Sequence, residues 1–275
     1  MWQIIVLIAA ILFGVSKLLS RYISRKIDPI VYSFYYNLIF SLLFIFFLSS
    51  FSMPSKIEGW TIMALGSVFW SACMILIFFV YKHLDVSIIA PLENLTPLIT
   101  LIAGLIFFNE TMGLFNIIGA FLIFLGALLI TWKTKNYIIN KKGIILMLIS
   151  VFFYSIAYRI DSLGVKYFNI YTYGFGVSFM PAILIGTYLF FNKKSFKIKK
   201  EILLKISISS ILDFVGYLLI LSAYTLTQVS NVAILRQLSI IIAVFGGFVF
   251  FKEKNILRKS IAALIIIIGA IFFSI

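Results

Sequence analysis

Ten apolar runs of about 19 to 23 residues follow one another along the chain, parted by short polar breaks. Each is as long as an α-helix must be to cross about 30 Å of hydrocarbon. A helix also satisfies its own backbone hydrogen bonds, which lipid cannot do for it. A β-barrel would show segments of roughly ten residues alternating apolar and polar, and the runs here are continuous. The bias is chain-wide: 63% of the 275 residues are hydrophobic and 12% charged, against about 45–50% and about 25% in soluble domains. The chain reads as an all-α integral membrane protein.

The spans fall at 2–20, 30–50, 59–80, 86–108, 114–132, 143–165, 170–191, 203–225, 229–251 and 257–275. The opening "MWQIIVLIAAILFG" lacks a basic leader and a small-residue cleavage site, so it reads as a mature first span rather than a signal peptide. The longest breaks, 133–142 and 192–201, are basic linkers with no room for a soluble domain. The net charge of +14 lies almost wholly in such loops, where it suits anionic lipid headgroups rather than nucleic acid. One cysteine, Cys73, makes no internal disulfide and no cysteine metal cluster. No cofactor is implied.

Displaced by 143 residues, the chain falls on itself. "APLENLTPLITLIAG" (90–104) meets "AILRQLSIIIAVFGG" (233–247), "FFNE" (107–110) meets "FFKE" (250–253), and Gly126-Ala127 meets Gly269-Ala270. Upstream, Tyr81 meets Tyr224 and Val86 meets Val229. With a slip of two residues, Tyr32 and Phe34 meet Tyr173 and Phe175. Each half holds five spans, and five is odd, so the second half enters from the opposite side. The expectation is ten transmembrane helices as two inverted five-helix repeats, 1–135 and 143–275, a common plan of secondary transporters.

Two five-span halves, each with an acidic residue just after its fourth span and a "GA" in its fifth, resemble the EamA family of the drug/metabolite transporter superfamily. The resemblance covers nearly the whole chain. It implies a metabolite carrier, not an enzyme, with a central cavity between the halves. The chain departs from the family pattern in three places. Phe13-Gly14 stands where Trp-Gly is frequent. Asn37 is the polar residue near the place of a frequent arginine. Ile240 is the counterpart of Pro97.

Eighteen lysines and arginines lie in or beside the odd-numbered loops, and the even-numbered loops hold only Lys56 and Lys166. The positive-inside rule then puts the odd loops in the cytoplasm of a cell-membrane protein, with both termini outside. Relatives in the family more usually have cytoplasmic termini, and the charge bias decides against that here.

Charges within a span cost roughly 2.5–3.5 kcal/mol on insertion scales, so they face protein or water. Glu93 and Arg236 hold equivalent repeat positions, each seven residues into its span. Entering from opposite sides, both fall near the midplane, where a Glu–Arg pair across the pseudo-two-fold is geometrically open to them. Glu93, Thr96, Thr100 and Gly104 share a stripe at 3.6 residues per turn, as do Arg236, Ser239, Ala243 and Gly247. The stripes line a polar pathway; the alternative is a small-residue packing seam with one structural ion pair. Asn94 and its counterpart Gln237 join the candidate solute ligands. Pro91 and Pro97 free the carbonyls of Ser87 and Glu93, which makes either a broken, solute-binding helix or a simple kink.

Asp213 stands ten residues into the eighth span with no basic residue within a turn, and shares a face with Tyr217 and Tyr224. With Glu93 it is the candidate for ion coupling; the alternative is a hydrogen-bonded carboxyl that fastens helices. Tyr154, Tyr158 and Asp161 share a face of the sixth span, with Asp161 and Arg159 toward the even-loop end and within reach of the interface. Lys17, close to a basic loop, reads as snorkelling.

No "GxxxxGK[ST]" phosphate loop, HExxH or Ser/His/Asp set is present. The reading is a secondary transporter of a small, carboxylate-bearing or amino-acid-like metabolite, with Asp213 its candidate for proton coupling, and export is what the resemblance to the EamA family implies. Substrate ligands would be Arg236, Glu93, Asn94, Tyr154, Tyr158, Tyr217 and Gln237. Its partners are the solute and membrane lipids, and it acts as a monomer or homodimer. The alternative is a flippase for a lipid-linked substrate on the same scaffold.

Overall fold

The computed structural model describes residues 1–52, 56–84, 113–131, 141–251 and 256–274. In the fourth span it describes Ile89, Leu92, Glu93, Leu95, Thr96, Ile99, Thr100 and Leu105. Among these residues every regular element is helical. The helices are α1 (Trp2–Ser24), α2 (Pro29–Leu42), α3 (Ile57–His83), α4 (Leu114–Thr131), α5 (Lys141–Gly164), α6 (Ile170–Phe191), α7 (Lys200–Tyr224), α8 (Val229–Leu235), α9 (Ser239–Phe251) and α10 (Ile256–Ser274). A 3-10 helix, Leu43–Ser50, continues α2, and a 3-10 turn, Arg236–Leu238, joins α8 to α9 within the ninth span. Nine of the ten expected spans are thus traced; the fourth lies largely outside the described residues. Among the described residues, six helices are long and apolar enough to cross a membrane, α2 being counted with its 3-10 continuation.

The helix starts show why the halves look alike. Asp28 caps α2 by accepting from the Ile30 N–H at 2.8 Å, with Pro29 as the first helical residue. Asn169, which lies 141 residues on, caps α6 by accepting from the Thr172 N–H at 2.8 Å. Both supply a side-chain acceptor to an orphan donor of the first turn. On α1, Ile4, Ile8, Ile11 and Val15 form the exposed face while Ser16 and Ser20 are buried. The helix therefore turns its apolar side to lipid and its hydroxyls to the protein.

The halves pack through equivalent contacts. α1 packs on α7, and its counterpart α5 packs on α3; α2 packs on α7 as α6 packs on α3. Two helices meet their own counterparts, α2 on α6 and α4 on α10. Both of these pairs run antiparallel. Gly126 of α4 faces Ala262 and Ile266, and Gly269 of α10 faces Gly119 and Ile123. The 143-residue displacement carries each of these contacts onto the other.

Only a glycine allows this α4–α10 approach. A Cβ at Gly269 would lie 2.7 Å from the Gly119 carbonyl oxygen and 2.8 Å from the Ile123 nitrogen, both of them backbone atoms that cannot rotate away. Gly269→Ala should therefore cost about 1–3 kcal/mol, the usual range for overpacking, read as a lowered unfolding midpoint in detergent. An unchanged midpoint would contradict this packing.

Candidate functional site

Between the halves lies a cavity of about 120 Å³, on a measure in which one water needs roughly 10–15 Å³. It is walled by α1, α2 and α3 of the first half, by α5, α6 and α7 of the second, and by parts of the fourth and ninth spans. Among the described residues, none of α4 or α10 lines it.

Four charged side chains face this space: Lys17, Glu93, Asp213 and Arg236. Arg236 stands on the 3-10 turn that interrupts the ninth span. A short 3-10 stretch inside a longer helix is a frequent mark of a functional site or of strain. Its guanidinium carbon lies 4.3 Å from the Phe13 ring centroid and 4.8 Å from that of Tyr158. Where water reaches them such contacts are worth about 0.5–1 kcal/mol each. Among the described residues, no carboxylate or carbonyl takes its N–H donors.

Glu93 does not pair with Arg236, as the repeat had suggested. It forms a salt bridge with Lys17, whose Nζ also donates to Ser239 Oγ at 3.2 Å. Lys17 therefore does not snorkel to the interface; its side chain is 15% exposed, and that of Glu93 13%. The reason is geometric. A 141-residue displacement carries Phe13 and Lys17 of α1 onto Tyr154 and Tyr158 of α5, while 143 carries Glu93 onto Arg236. Each half thus presents α1 or α5 to its partner's charge. One contact is Lys17 on Glu93, the other Tyr158 on Arg236.

Asp213 Oδ2 accepts from Ser16 Oγ and from Tyr36 Oη, each at 2.6 Å. Both donors land on one oxygen, which leaves Oδ1 to the cavity among the described residues. The wall between Asp213 and Arg236 is aromatic. Trp70 sits 5.7 Å from Tyr154, 5.8 Å from Tyr158 and 5.9 Å from Tyr217, centroid to centroid. The cavity thus combines a guanidinium with unused donors, a carboxylate with an unused oxygen, an internally neutral ion pair and apolar ring faces.

Of the residues singled out from sequence, Arg236, Glu93, Tyr154, Tyr158, Tyr217 and Asp213 line this cavity. Pro91, Asn94 and Pro97, and the side chain of Gln237, lie outside the described residues. Tyr224 is buried but does not line the cavity. Of the two stripes, Glu93, Thr96, Arg236 and Ser239 face the cavity, whereas Thr100 and Ala243 are fully packed. Asp161 does not reach the interface: it is 0% exposed. Arg159 reaches the Thr100 carbonyl at 3.3 Å. Arg21, counted among the loop cations, is buried and donates to the carbonyls of Tyr81 and Leu84 at the end of α3.

A family model described as the EamA-like transporter family matches residues 1–132 and again residues 141–275. The chain belongs to the EamA-like transporter family. Members are membrane transporters and not enzymes. The fold agrees: a solved crystal structure superposes with a TM-score of 0.78 at 13% identity, over 98% of this chain and 95% of the other. No curated protein matches the sequence. Within the EamA fold, the cavity residues that the sequence did not single out are Ser16, Tyr36 and Trp70, while Phe13 stood only as a departure from the family pattern and Lys17 only as a snorkelling cation. Phe13 and Lys17 carried a signal, since the two-residue slip seen in α2 and α6 extends back to α1 and α5.

Proposed function

We propose that this protein is a secondary carrier for a small solute bearing a carboxylate, an amino acid or a close analogue. The observation that carries the reading is Arg236, a cavity cation with no carboxylate on it among the described residues. A guanidinium offers donors matched to both oxygens of a carboxylate. Across the cavity, Asp213 Oδ1 suits the ammonium of the same solute, and Trp70, Tyr154 and Tyr217 suit its apolar part. A lipid-linked phosphate would need a cluster of free cations; among the described residues the cavity has Arg236 alone, because Lys17 is paired.

The carrier works by alternating access, with ten spans in two inverted repeats bounded at 1–135 and 143–275. The antiparallel packing of α4 on α10 and of α2 on α6 supports the inversion, because each helix meets its own counterpart head to tail. The basic odd loops face the cytoplasm and its anionic headgroups, the termini face outward, and the solute leaves the cell. Asp213, with Glu93, carries the coupling proton. Replacing Asp213 by asparagine should make flux independent of the pH difference across vesicles; an unchanged pH profile would leave Asp213 a structural acceptor for Ser16 and Tyr36. The substrate is sought by comparing all small metabolites in cells with and without the protein. Candidates are then tested by counterflow in reconstituted vesicles. A carboxylate-bearing solute that accumulates outside expressing cells supports the reading; counterflow of lipid-linked sugars alone would replace it.

A further inference from the structure

Two tyrosines at equivalent places close the two ends of this cavity, with different chemistry. Tyr32 is the fourth residue of α2 and Tyr173 the fourth of α6, each four residues beyond its cap, Asp28 or Asn169. Both are fully buried. Tyr32 lies at the odd-loop end. Its hydroxyl meets Ser20 Oγ at 2.8 Å and Ser209 Oγ at 3.4 Å, and its ring stacks on Phe78 at 3.9 Å. This cluster joins three hydroxyls and two rings, and its Ser209 Oγ also meets Ser16 Oγ at 2.9 Å, which in turn donates to Asp213.

At the even-loop end the same positions are filled otherwise. The 141-residue displacement that carries Tyr32 onto Tyr173 carries Ser20 onto Asp161, and 143 carries Gly66 onto Ser209. Gly66 has no side chain, and the Tyr173 hydroxyl fills that space: a Cβ at Gly66 would lie 2.9 Å from it. Asp161 Oδ1 accepts from Tyr173 Oη at 2.9 Å and from Trp70 Nε1 at 3.0 Å; its Oδ2 accepts from Tyr217 Oη at 2.9 Å. The donors come from α6, α3 and α7, so one carboxylate on α5 ties four helices together. Asp161 stands three residues before the end of α5, and the next residues turn back into α6 at the even-loop face. Trp70 and Tyr217 line the cavity; Asp161 and Tyr173 lie just beyond them.

We infer that Asp161 is the latch of the even-loop gate. It is a positioning residue, outside the solute site, that holds Tyr173, Trp70 and Tyr217 in the closed arrangement. Its three hydrogen bonds join α5 to α3, α6 and α7 at the even-loop end, where one side chain gathers donors from three helices. Trp70 and Tyr217 touch both the cavity and the latch, so what occupies the cavity bears directly on the gate. The inference rests on the carrier reading for its purpose, but its geometry does not depend on which solute is carried.

The test is sided accessibility. Ser178 lines the cavity from α6, and the one native cysteine, Cys73, is buried. In Cys73→Ser/Ser178→Cys protein in oriented vesicles, a membrane-impermeant thiol reagent is applied from one face at a time. Asp161→Ala should raise the even-loop rate about tenfold or more, the scale set by losing three hydrogen bonds, and leave the odd-loop rate unchanged or lower. Asp161→Asn, which keeps an oxygen for Tyr173 and Trp70, and Tyr173→Phe should give smaller rises on the same face. They keep the test open where Asp161→Ala fails to fold. Tyr32→Phe should act on the odd-loop face instead. Unchanged even-loop rates in Asp161→Asn and Tyr173→Phe overturn the latch, as does an equal rise on both faces, which would mean general loosening. A sided change without flux of any solute sinks the carrier reading and keeps the latch; flux without a sided change does the reverse.

Discussion

Arg236→Ala abolishes solute flux, by about a hundredfold or more, and leaves the protein inserted and folded. The size follows from the bonds lost. A carboxylate held by both arms of a guanidinium loses two charge-assisted hydrogen bonds, each worth about 1.5–3 kcal/mol, and every 1.4 kcal/mol is about tenfold. The intact fold follows from what Arg236 touches. It rests on the rings of Phe13 and Tyr158, and Glu93 is neutralised by Lys17, so its removal leaves no carboxylate newly unpaired among the described residues. Arg236→Lys keeps the charge but not the planar fork, and should fall between. Initial rates of counterflow in vesicles, beside a melting curve, measure both parts. Wild-type flux in Arg236→Ala would remove it from the solute site.

The second large effect is on stability. Glu93→Gln leaves the Lys17 ammonium facing Ser239 without a counter-charge. Removing one partner of a buried pair costs about 3–5 kcal/mol. Here the pair keeps 15% and 13% exposure to a wet cavity, so the cost belongs at or below the lower end of that range. The double variant Lys17→Met/Glu93→Leu should recover most of the loss, because apolar replacements of a buried ion pair are often neutral. Unfolding midpoints of Glu93→Gln, Lys17→Met and the double variant in one detergent decide it. Singles as stable as the wild type would mean the pair contributes nothing to the fold.

Most of the architecture was legible because lipid imposes one rule per span. The apolar runs predict α1, α3, α5, α6 and α7 to within a few residues. The repeat also placed Glu93 and Arg236 as equivalents, since both lie on a run that matches without a gap. What it hid was the register of α1 against α5. Their alignment needs the two-residue slip, and without it Lys17 looks like a stray cation near a basic loop rather than the counterpart of Tyr158. Asp161 was misplaced for another reason. Depth along one helix says nothing of Trp70, Tyr173 and Tyr217, which reach it from three other helices. The break at Arg236–Leu238 has no proline or glycine to announce it. Ile240 stands where the first half has Pro97, and nothing local explains the turn.

The central claim is that the two halves enclose a watery, charge-lined space. The most direct measurement places single cysteines at Phe13, Tyr36, Tyr158 and Ser239, two from each half, in Cys73→Ser protein. Ile11 and Ile183, exposed on the outer surface near the middle of their spans, serve as controls. Thiols react as thiolates, which form in water and not in hydrocarbon. A water-soluble thiol reagent should modify all four cavity cysteines and spare the two lipid-facing controls. Four unreactive cavity positions in folded protein would show a dry, solid interior and contradict the account.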